Sequence, residues 1–445
     1  MIQLRDYQQT LYDKARNSFR NGNRRVLCVA PCGAGKTFLF AKMAENTNGE
    51  VLVLTHRREL LRQTKELFDA NGIKARFSMI LTEANRLGQY EKPKLIITDE
   101  AHLSRSRSWV KVLDYYDTFV CGFTATPVRL DGKPLGDIYN DLVQEVSVKY
   151  LIEHNRLAPY EYYAPTVVET EGLRKQAGDF VIADMEQLMS DRAIYSDVLK
   201  SWEKIAPGEK TIAYCVSVKH AVDTAKMFNN AGYTAVAIDG NTPDKKREAI
   251  MEKFRKGDIK ILCNVGIISE GISIDDVSCC LLLRPTDSHA LYWQQAMRCM
   301  RYQPGKIAKI IDCVGNYTRN PLPDGDVEWS LTETVKKRSI LNENGDFRIR
   351  TCPRCFKCFK TANTCPYCGY EYELKPREIR AHKDIELQRL TAEQVFIAEK
   401  QRKQARIQQG RAQTFPELLQ IAKERGYKNP SAWAYMVMKG RKRNG

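Results

Sequence analysis

The sequence predicts an α/β protein of two parallel-sheet lobes, followed by a small cysteine module and a helical extension. Three observations carry that prediction. Val26-Leu27-Cys28-Val29-Ala30 is an apolar run of strand length, a glycine-rich turn follows it, and Phe38, Leu39, Phe40 and Met43 then suit a helix. Lys94-Leu95-Ile96-Ile97-Thr98 is a second such run, and it ends at two adjacent carboxylates, Asp99 and Glu100. Beyond residue 210 strand and helix patterns alternate again, as a second sheet with crossover helices requires.

The first unit is suited to holding phosphate. In Ala30-Pro31-Cys32-Gly33-Ala34-Gly35-Lys36-Thr37 the Gly33-Ala34-Gly35 turn lets backbone amides converge on phosphate oxygens. Lys36 can reach β- and γ-phosphates, and the Thr37 hydroxyl can ligate Mg²⁺. At the end of the second strand Asp99 can hold the same metal, while Glu100 orients and deprotonates a water. Taken alone, a short glycine-lysine string arises by chance and an Asp-Glu pair is an ordinary solvated turn. Their conjunction, each after a strand and in the order a parallel sheet with ligands at its carboxyl edge requires, points to ATP hydrolysis.

The second lobe follows the same logic. Lys210–Cys215, Lys260–Val265 and Cys279–Leu283 read as strands, with helices over Val218–Asn229 and Asp244–Arg255 between them. In Gln294-Gln295-Ala296-Met297-Arg298-Cys299-Met300-Arg301 the two arginines stand three apart, which places them on one helix face. Residues near Val148 to Thr170 read as the connection between lobes, Glu169 to Gly178 as a mobile loop, and Asn320-Pro321-Leu322-Pro323-Asp324-Gly325-Asp326 as a closing boundary. The expected division is 1–150 and 151–335 for the lobes, 350–372 for the cysteine module and 373–445 for the extension.

Most of the 14 cysteines sit singly in predicted strands or helices and read as small buried apolar residues. Cys352-Pro353-Arg354-Cys355 and Cys365-Pro366-Tyr367-Cys368-Gly369 differ: two tight knuckles supply four thiolates for a structural Zn²⁺. Cys358 also lies two residues beyond Cys355 and competes with Cys352 as fourth ligand; the mirrored Cys-Pro-x-Cys pattern favours Cys352. The module's expected job is to shape a nucleic-acid or protein contact. Lys375 to Arg411 reads as one or two exposed basic helices, either packing on the lobes or running along a polyanion. Thr414 and Pro416 mark a helix start, and Tyr427, Trp433, Tyr435, Met436 and Val437 suit a small helical hairpin whose aromatics form its core or, alternatively, a base-stacking surface. Gly440-Arg441-Lys442-Arg443 is a phosphate contact or a frayed tail. Glu373-Leu374-Lys375 lacks the acidic partner a metal-dependent nuclease needs.

A formal charge of +16 over 445 residues calls for a polyanionic partner. No apolar run approaches the roughly 20 residues of a membrane span, and Met1-Ile2-Gln3-Leu4-Arg5 enters the first motif directly. A cytoplasmic protein, of a bacterium or of a phage-infected host, is expected.

Asp99-Glu100-Ala101-His102, Gly122-Phe123-Thr124-Ala125-Thr126-Pro127 and Leu4-Arg5-Asp6-Tyr7-Gln8 resemble the motor core of superfamily 2 helicases of the DEAD/DEAH-box type. Val218-Lys219-His220-Ala221, Asp239-Gly240-Asn241-Thr242-Pro243, Leu283-Arg284-Pro285-Thr286 and Asp312-Cys313-Val314-Gly315-Asn316 narrow the resemblance to RadD-type bacterial helicases and small phage relatives. The resemblance implies RecA-like lobes with ATP between them, Arg5 and Gln8 reading adenine, and Gly271 contributing to the nucleotide site. It further implies that His102, Thr124 and Thr126 couple nucleotide state to the second lobe, that Thr55, His56 and Arg57 grip a nucleic-acid backbone, and that Arg298 and Arg301, beside Gln294, complete the site as arginine fingers. Met297, Ser273 and Asn264 stand where the family usually has glycine, aspartate and threonine, changes that bear on coupling rather than hydrolysis. The expected activity is an ATP- and Mg²⁺-dependent DNA helicase or translocase in replication, recombination or repair, on single-stranded or forked DNA, with a replication or repair protein as a further partner. Two alternatives stand beside it, an RNA helicase and a nucleotide-switched recruitment factor that binds without unwinding.

Overall fold

Runs such as Val26-Leu27-Cys28 or Leu95-Ile96-Ile97 send successive side chains to opposite faces of a strand, so they require apolar cover on both sides. The computed structural model supplies that cover twice; it describes residues 2–56, 58–128, 134–164, 173–176, 179–189, 192–266, 276–325, 327, 329–332, 349–360, 362, 364–372, 412, 414–424, 430, 431, 434 and 438. The first lobe comprises α1 (Asp6–Arg20), β1 (Arg25–Val29), α2 (Lys36–Glu45), β2 (Val51–Thr55), α3 (Arg58–Ala70), β3 (Arg76–Met79), α4 (Ile80–Asn85), β4 (Leu95–Asp99), α5 (Arg107–Tyr116), β5 (Phe119–Thr124) and β6 (Asp141–Gln144). Its strands form one parallel sheet in the order β3-β2-β4-β5-β1-β6. Val26, Cys28, Val53 and Ile97 pack with Leu11, Phe40 and Phe68 on one face. Leu27, Leu52, Ile96 and Val120 pack with Trp109, Val112 and Tyr139 on the other. Each such leucine or isoleucine contributes about 2 kcal/mol by leaving water.

The second lobe continues through α6 (Val148–Glu153), β7 (Tyr160–Tyr163), a hairpin of β8 (Lys175–Gln176) and β9 (Asp179–Phe180), α7 (Ile182–Met189), α8 (Arg192–Ile205), β10 (Thr211–Tyr214), α9 (Val218–Asn230), β11 (Ala235–Ile238), α10 (Asp244–Lys256), β12 (Ile261–Asn264), β13 (Cys279–Leu282), α11 (His289–Ala296) and β14 (Ala308–Asp312). Its parallel sheet has the order β11-β12-β10-β13-β14-β7. The side-chain oxygens of Ser147, Ser217 and Ser288 accept from the first-turn amides of α6, α9 and α11, so each helix starts at a hydroxyl cap.

The stretch expected as the connection between lobes carries α6 and β7. β7 adds to the second sheet because Tyr162 buries its ring there and donates its hydroxyl to the buried Asp312 at 2.8 Å. At the end of the expected mobile loop, β8 pairs with β9, where Asp179 accepts from Arg284 Nη2 and Thr286 Oγ1, each at 3.0 Å. Residues 165–172 and 177–178 lie outside the described residues.

β15 (Ile349–Thr351) and β16 (Cys358–Lys360) pair antiparallel in the cysteine module. The module lies against the outer edge of β7: Lys357 bridges Tyr163, Ala164 N donates to Phe356 O at 3.2 Å, and Lys357 forms an ion pair with Glu161. This gives an exposed sheet edge a cover. Residues Met1–Glu373 form one compact unit and Leu374–Gly445 another. In the latter, α12 (Phe415–Glu424) begins with Thr414 and Glu417 capping one another's amides, and Leu418 and Ile421 pack with Ala412 and Ala434. The basic stretch 375–411, Tyr427, Trp433, Tyr435, Met436, Val437 and 440–443 lie outside the described residues, as does Glu373-Leu374-Lys375.

Candidate active site

The carboxyl ends of β1 and β4 bring the predicted nucleotide residues together. Leaving β1, the chain turns through Gly33 (φ 85°) and Gly35 (φ 77°), both left-handed, and α2 begins at Lys36. Thr37 is therefore in the first turn of that helix, where free amides face the turn. Lys36 Nζ lies 3.6 Å from Glu100 Oε1. Burial works against the ammonium charge, but Glu100 and Asp99 outweigh it and hold the Lys36 pKa above its ordinary value. Burial pushes the Asp99 carboxyl up to about 6, with Lys36 opposing the rise and Glu100 adding to it. Two buried carboxylates beside one ammonium leave excess negative charge, the condition that favours a divalent cation.

The turn is braced from α1. Gln8 Nε2 donates to Ala34 O at 2.8 Å, Gln8 Oε1 accepts from Arg5 N at 3.0 Å, and Tyr7 OH donates to Ala34 O at 3.2 Å. A Cβ on Gly35 would stand 2.6 Å from Gln8 Nε2, so glycine is what admits the brace. Both ends of the Gln8 amide are thus spent on the chain itself, a bracing role that spacing did not reveal; Arg5 is exposed, with Nη1 donating to Tyr7 OH at 3.3 Å.

Behind Glu100 runs a contiguous polar path. Glu100 Oε2 lies 3.4 Å from His102 Nδ1, which is 3.2 Å from Thr124 Oγ1, and Thr124 Oγ1 donates to Thr126 O at 3.1 Å. All four residues are buried. Gly122 on the same strand makes room for Tyr139, whose hydroxyl would sit 2.4 Å from a Cβ at 122.

In the second lobe Gln294 is buried on α11, but the helix ends at Ala296. Met297–Met300 form a 3₁₀ turn and Arg301 is extended (φ −61°, ψ 130°), so Arg298 and Arg301 do not share a helix face as their spacing predicted. The reason is competition for backbone groups: Ala158 N donates to Met300 O at 2.8 Å and Leu157 bridges Arg301. Met297 is a core residue at 2 % exposure, and Asn264 Nδ2 donates to Ala213 O at 3.1 Å.

The four knuckle cysteines converge. Their Sγ atoms all lie within 4.8 Å of one another, with Cys352–Cys368 at 3.5 Å and Cys355–Cys365 at 3.8 Å. A tetrahedron with zinc–sulfur arms of about 2.3 Å has edges of about 3.8 Å, so the set fits Zn²⁺. Arg354 N also donates to Cys352 Sγ at 3.4 Å, as a thiolate wants. Cys358 faces elsewhere, 3.2 Å from Thr351 Oγ1, and burial pushes its thiol up to about 12.

The helicase conserved C-terminal domain matches residues 193–303, and the family described as type III restriction enzyme, res subunit, matches 1–92 and 76–129. A 51.5 kDa protein of a Lactococcus phage is 35% identical over 378 residues, 83% of each chain. The chain belongs to the superfamily 2 helicases. This helicase is also similar to IRC3 of Saccharomyces cerevisiae (28% over 354 residues) and to the DNA 3'-5' translocase XPB2 of Sulfurisphaera tokodaii (24% over 371 residues). It covers 70% of its own length in each, and spans 51% of the yeast protein and 82% of XPB2. Among solved structures, the type ISP restriction-modification enzyme LlaBIII bound to DNA matches at TM-score 0.52 and 19% identity, over 70% of this chain and 28% of that one. That likeness speaks to the two-lobe parallel-sheet fold.

Of the residues expected to touch nucleic acid, Thr55 is 2 % exposed at the end of β2 and His56, next in the chain, is half-buried. Arg57, Gly271 and Ser273 lie outside the described residues. Among the described residues no helix is long and apolar enough to cross a membrane.

Proposed function

We propose that the protein is a DNA-stimulated ATPase that translocates on or unwinds DNA. The observation that carries this is the cluster of half-buried Lys36 with buried Asp99 and Glu100 at one sheet edge, continuous through His102 with Thr124 and Thr126. In this reading the turn amides and Lys36 hold the β- and γ-phosphates of ATP, and Thr37 and Asp99 hold Mg²⁺, which neutralises phosphate charge when bound. Glu100 orients the attacking water and accepts its proton. Arg298 and Arg301 stabilise the charge developing on the transferred phosphate, with Gln294 beside them. Gln8 and Tyr7 keep the turn in shape. Cys352, Cys355, Cys365 and Cys368 hold a structural Zn²⁺. The DNA preference is supported by the naming of XPB2 as a DNA translocase and by the net charge of +16; the similarity to the ATP-dependent RNA helicase dbp5, 24% over 285 residues, keeps RNA in the test.

ATP turnover without polymer, with single-stranded, duplex or forked DNA, and with RNA tests the reading. DNA is expected to stimulate turnover, and Glu100→Gln and Lys36→Ala each to lower it by about 100-fold or more. Stimulation by RNA alone moves the substrate to RNA. Turnover indifferent to every polymer favours a recruitment factor, and full turnover in both variants overturns the site.

A further inference from the structure

We infer that Leu157 is a positioning residue that links the phosphate-binding turn to the segment carrying Arg301, an inference that rests on the nucleotide-site reading above. Gly33 has a left-handed backbone, and a Cβ there would lie 2.6 Å from Leu157 Cδ2. The leucine thus fills the space a side chain at 33 would need, directly against the turn. Residues 153–156 ahead of it are exposed, whereas Leu157 is 1 % exposed. It belongs to a continuous apolar cluster containing Val26, Ala34 and Phe40 of the first lobe together with Tyr162, Met300 and Ile310 of the second.

Leu157 N donates to Leu151 O of α6 at 3.0 Å, and from Leu157 onward the backbone is committed to the other lobe. It forms an antiparallel bridge with Arg301, Ala158 N donates to Met300 O at 2.8 Å, and Pro159 O accepts from Ala308 N at 2.8 Å before the chain enters β7. Residues 157–163 are therefore fastened along their length to β14 and the arginine segment, while the first side chain of that strip rests on the turn of the first lobe. Close-packed groups cannot be displaced independently. A turn whose amides have closed on phosphate fixes the surface on which Leu157 sits, and Leu157 fixes the backbone of Met300 and Arg301. An apolar contact suits this task because it does not compete for the charges used in hydrolysis.

The test uses the full chain, with Leu157→Ala, Leu157→Met and Arg301→Ala. In Leu157→Ala, kcat for ATP with saturating single-stranded DNA is expected to fall about 10- to 100-fold, while KM for ATP and the affinity for a fluorescent ADP analogue stay within about 2-fold. Leu157→Met, which refills the volume, is expected to recover kcat to within about 3-fold. Leu157→Ala combined with Arg301→Ala is expected to be no slower than Arg301→Ala alone, because both act through one group. Unchanged kcat in Leu157→Ala, a parallel loss of ADP affinity and thermal midpoint, or losses that multiply in the double variant would each overturn the inference. Absence of Glu100-dependent turnover in the unsubstituted chain overturns the nucleotide-site reading, and this inference with it.

Discussion

Glu100 is held in a backbone conformation that non-glycine residues seldom adopt (φ 50°, ψ 52°), with one oxygen 3.6 Å from Lys36 and the other 3.4 Å from His102. Strain of this kind persists only where the surroundings over-determine it, and here it turns the carboxylate toward the lysine. His220 shows burial acting on a second titratable group. Its Nδ1 accepts from Val216 N at 3.3 Å, which places the proton on Nε2, and burial holds its pKa down at about 4, against weaker opposition from Asp223 and Glu186. An unfolded imidazole takes a proton near pH 6.5, so between pH 6.5 and 4 the unfolded chain binds more protons than the folded one and stability falls as the pH falls. Thermal unfolding compared at pH 7 and pH 5 should reveal a loss of about 2 kcal/mol in the native chain that His220→Gln lacks; equal pH dependence in both would refute the assignment. At this scale Lys36, Thr37, Asp99 and Glu100 are legible because their chemistry is tied to a local strand-turn-helix pattern. Gln8, Tyr7 and Leu157 acquire their roles from residues 26, 27 and 124 positions away, which no local pattern encodes.

Several strands that pair on both sides are announced by the sequence; β5 and β14 also pair on both sides but are not, because Gly122 and Lys309 interrupt their apolar runs. β1, β2, β4, β10, β12 and β13 are interior to their sheets and carry nearly unbroken apolar runs. β3, β6, β7 and β11 are edge strands, with one neighbour each and partly exposed residues, so their patterns fade into the surrounding polar chain. The edge at β7 is covered by the cysteine module, and its regularity is expected to depend on the Zn²⁺ proposed to close the knuckles. Removing zinc with a chelator, or substituting Cys355→Ser, should release one zinc equivalent per chain and speed amide exchange at residues 160–164. Unchanged exchange after zinc loss would mean that the module holds β7 without metal.

At the scale of the whole molecule the excess of 16 positive charges governs association. If the basic extension contacts phosphate, deleting residues after Pro376 should weaken single-stranded DNA binding at moderate salt and flatten the salt dependence by about 0.7 per lost contact, while leaving ATP turnover without polymer unchanged. Affinity equal to that of the full chain across a salt series would make the extension a packing or partner element. By itself the sequence determined the two α/β lobes, the placing of Lys36, Asp99 and Glu100 at strand ends and the two cysteine knuckles, because each depends on a short-range period or spacing that adjacent residues impose. Tertiary structure alone decided that the helix of Gln294 stops before Arg301, that Cys358 turns away from the other four thiols, and that Leu157 touches both lobes. Those outcomes turn on competition between distant groups for the same backbone partner or the same volume, and that competition exists only once the chain has folded.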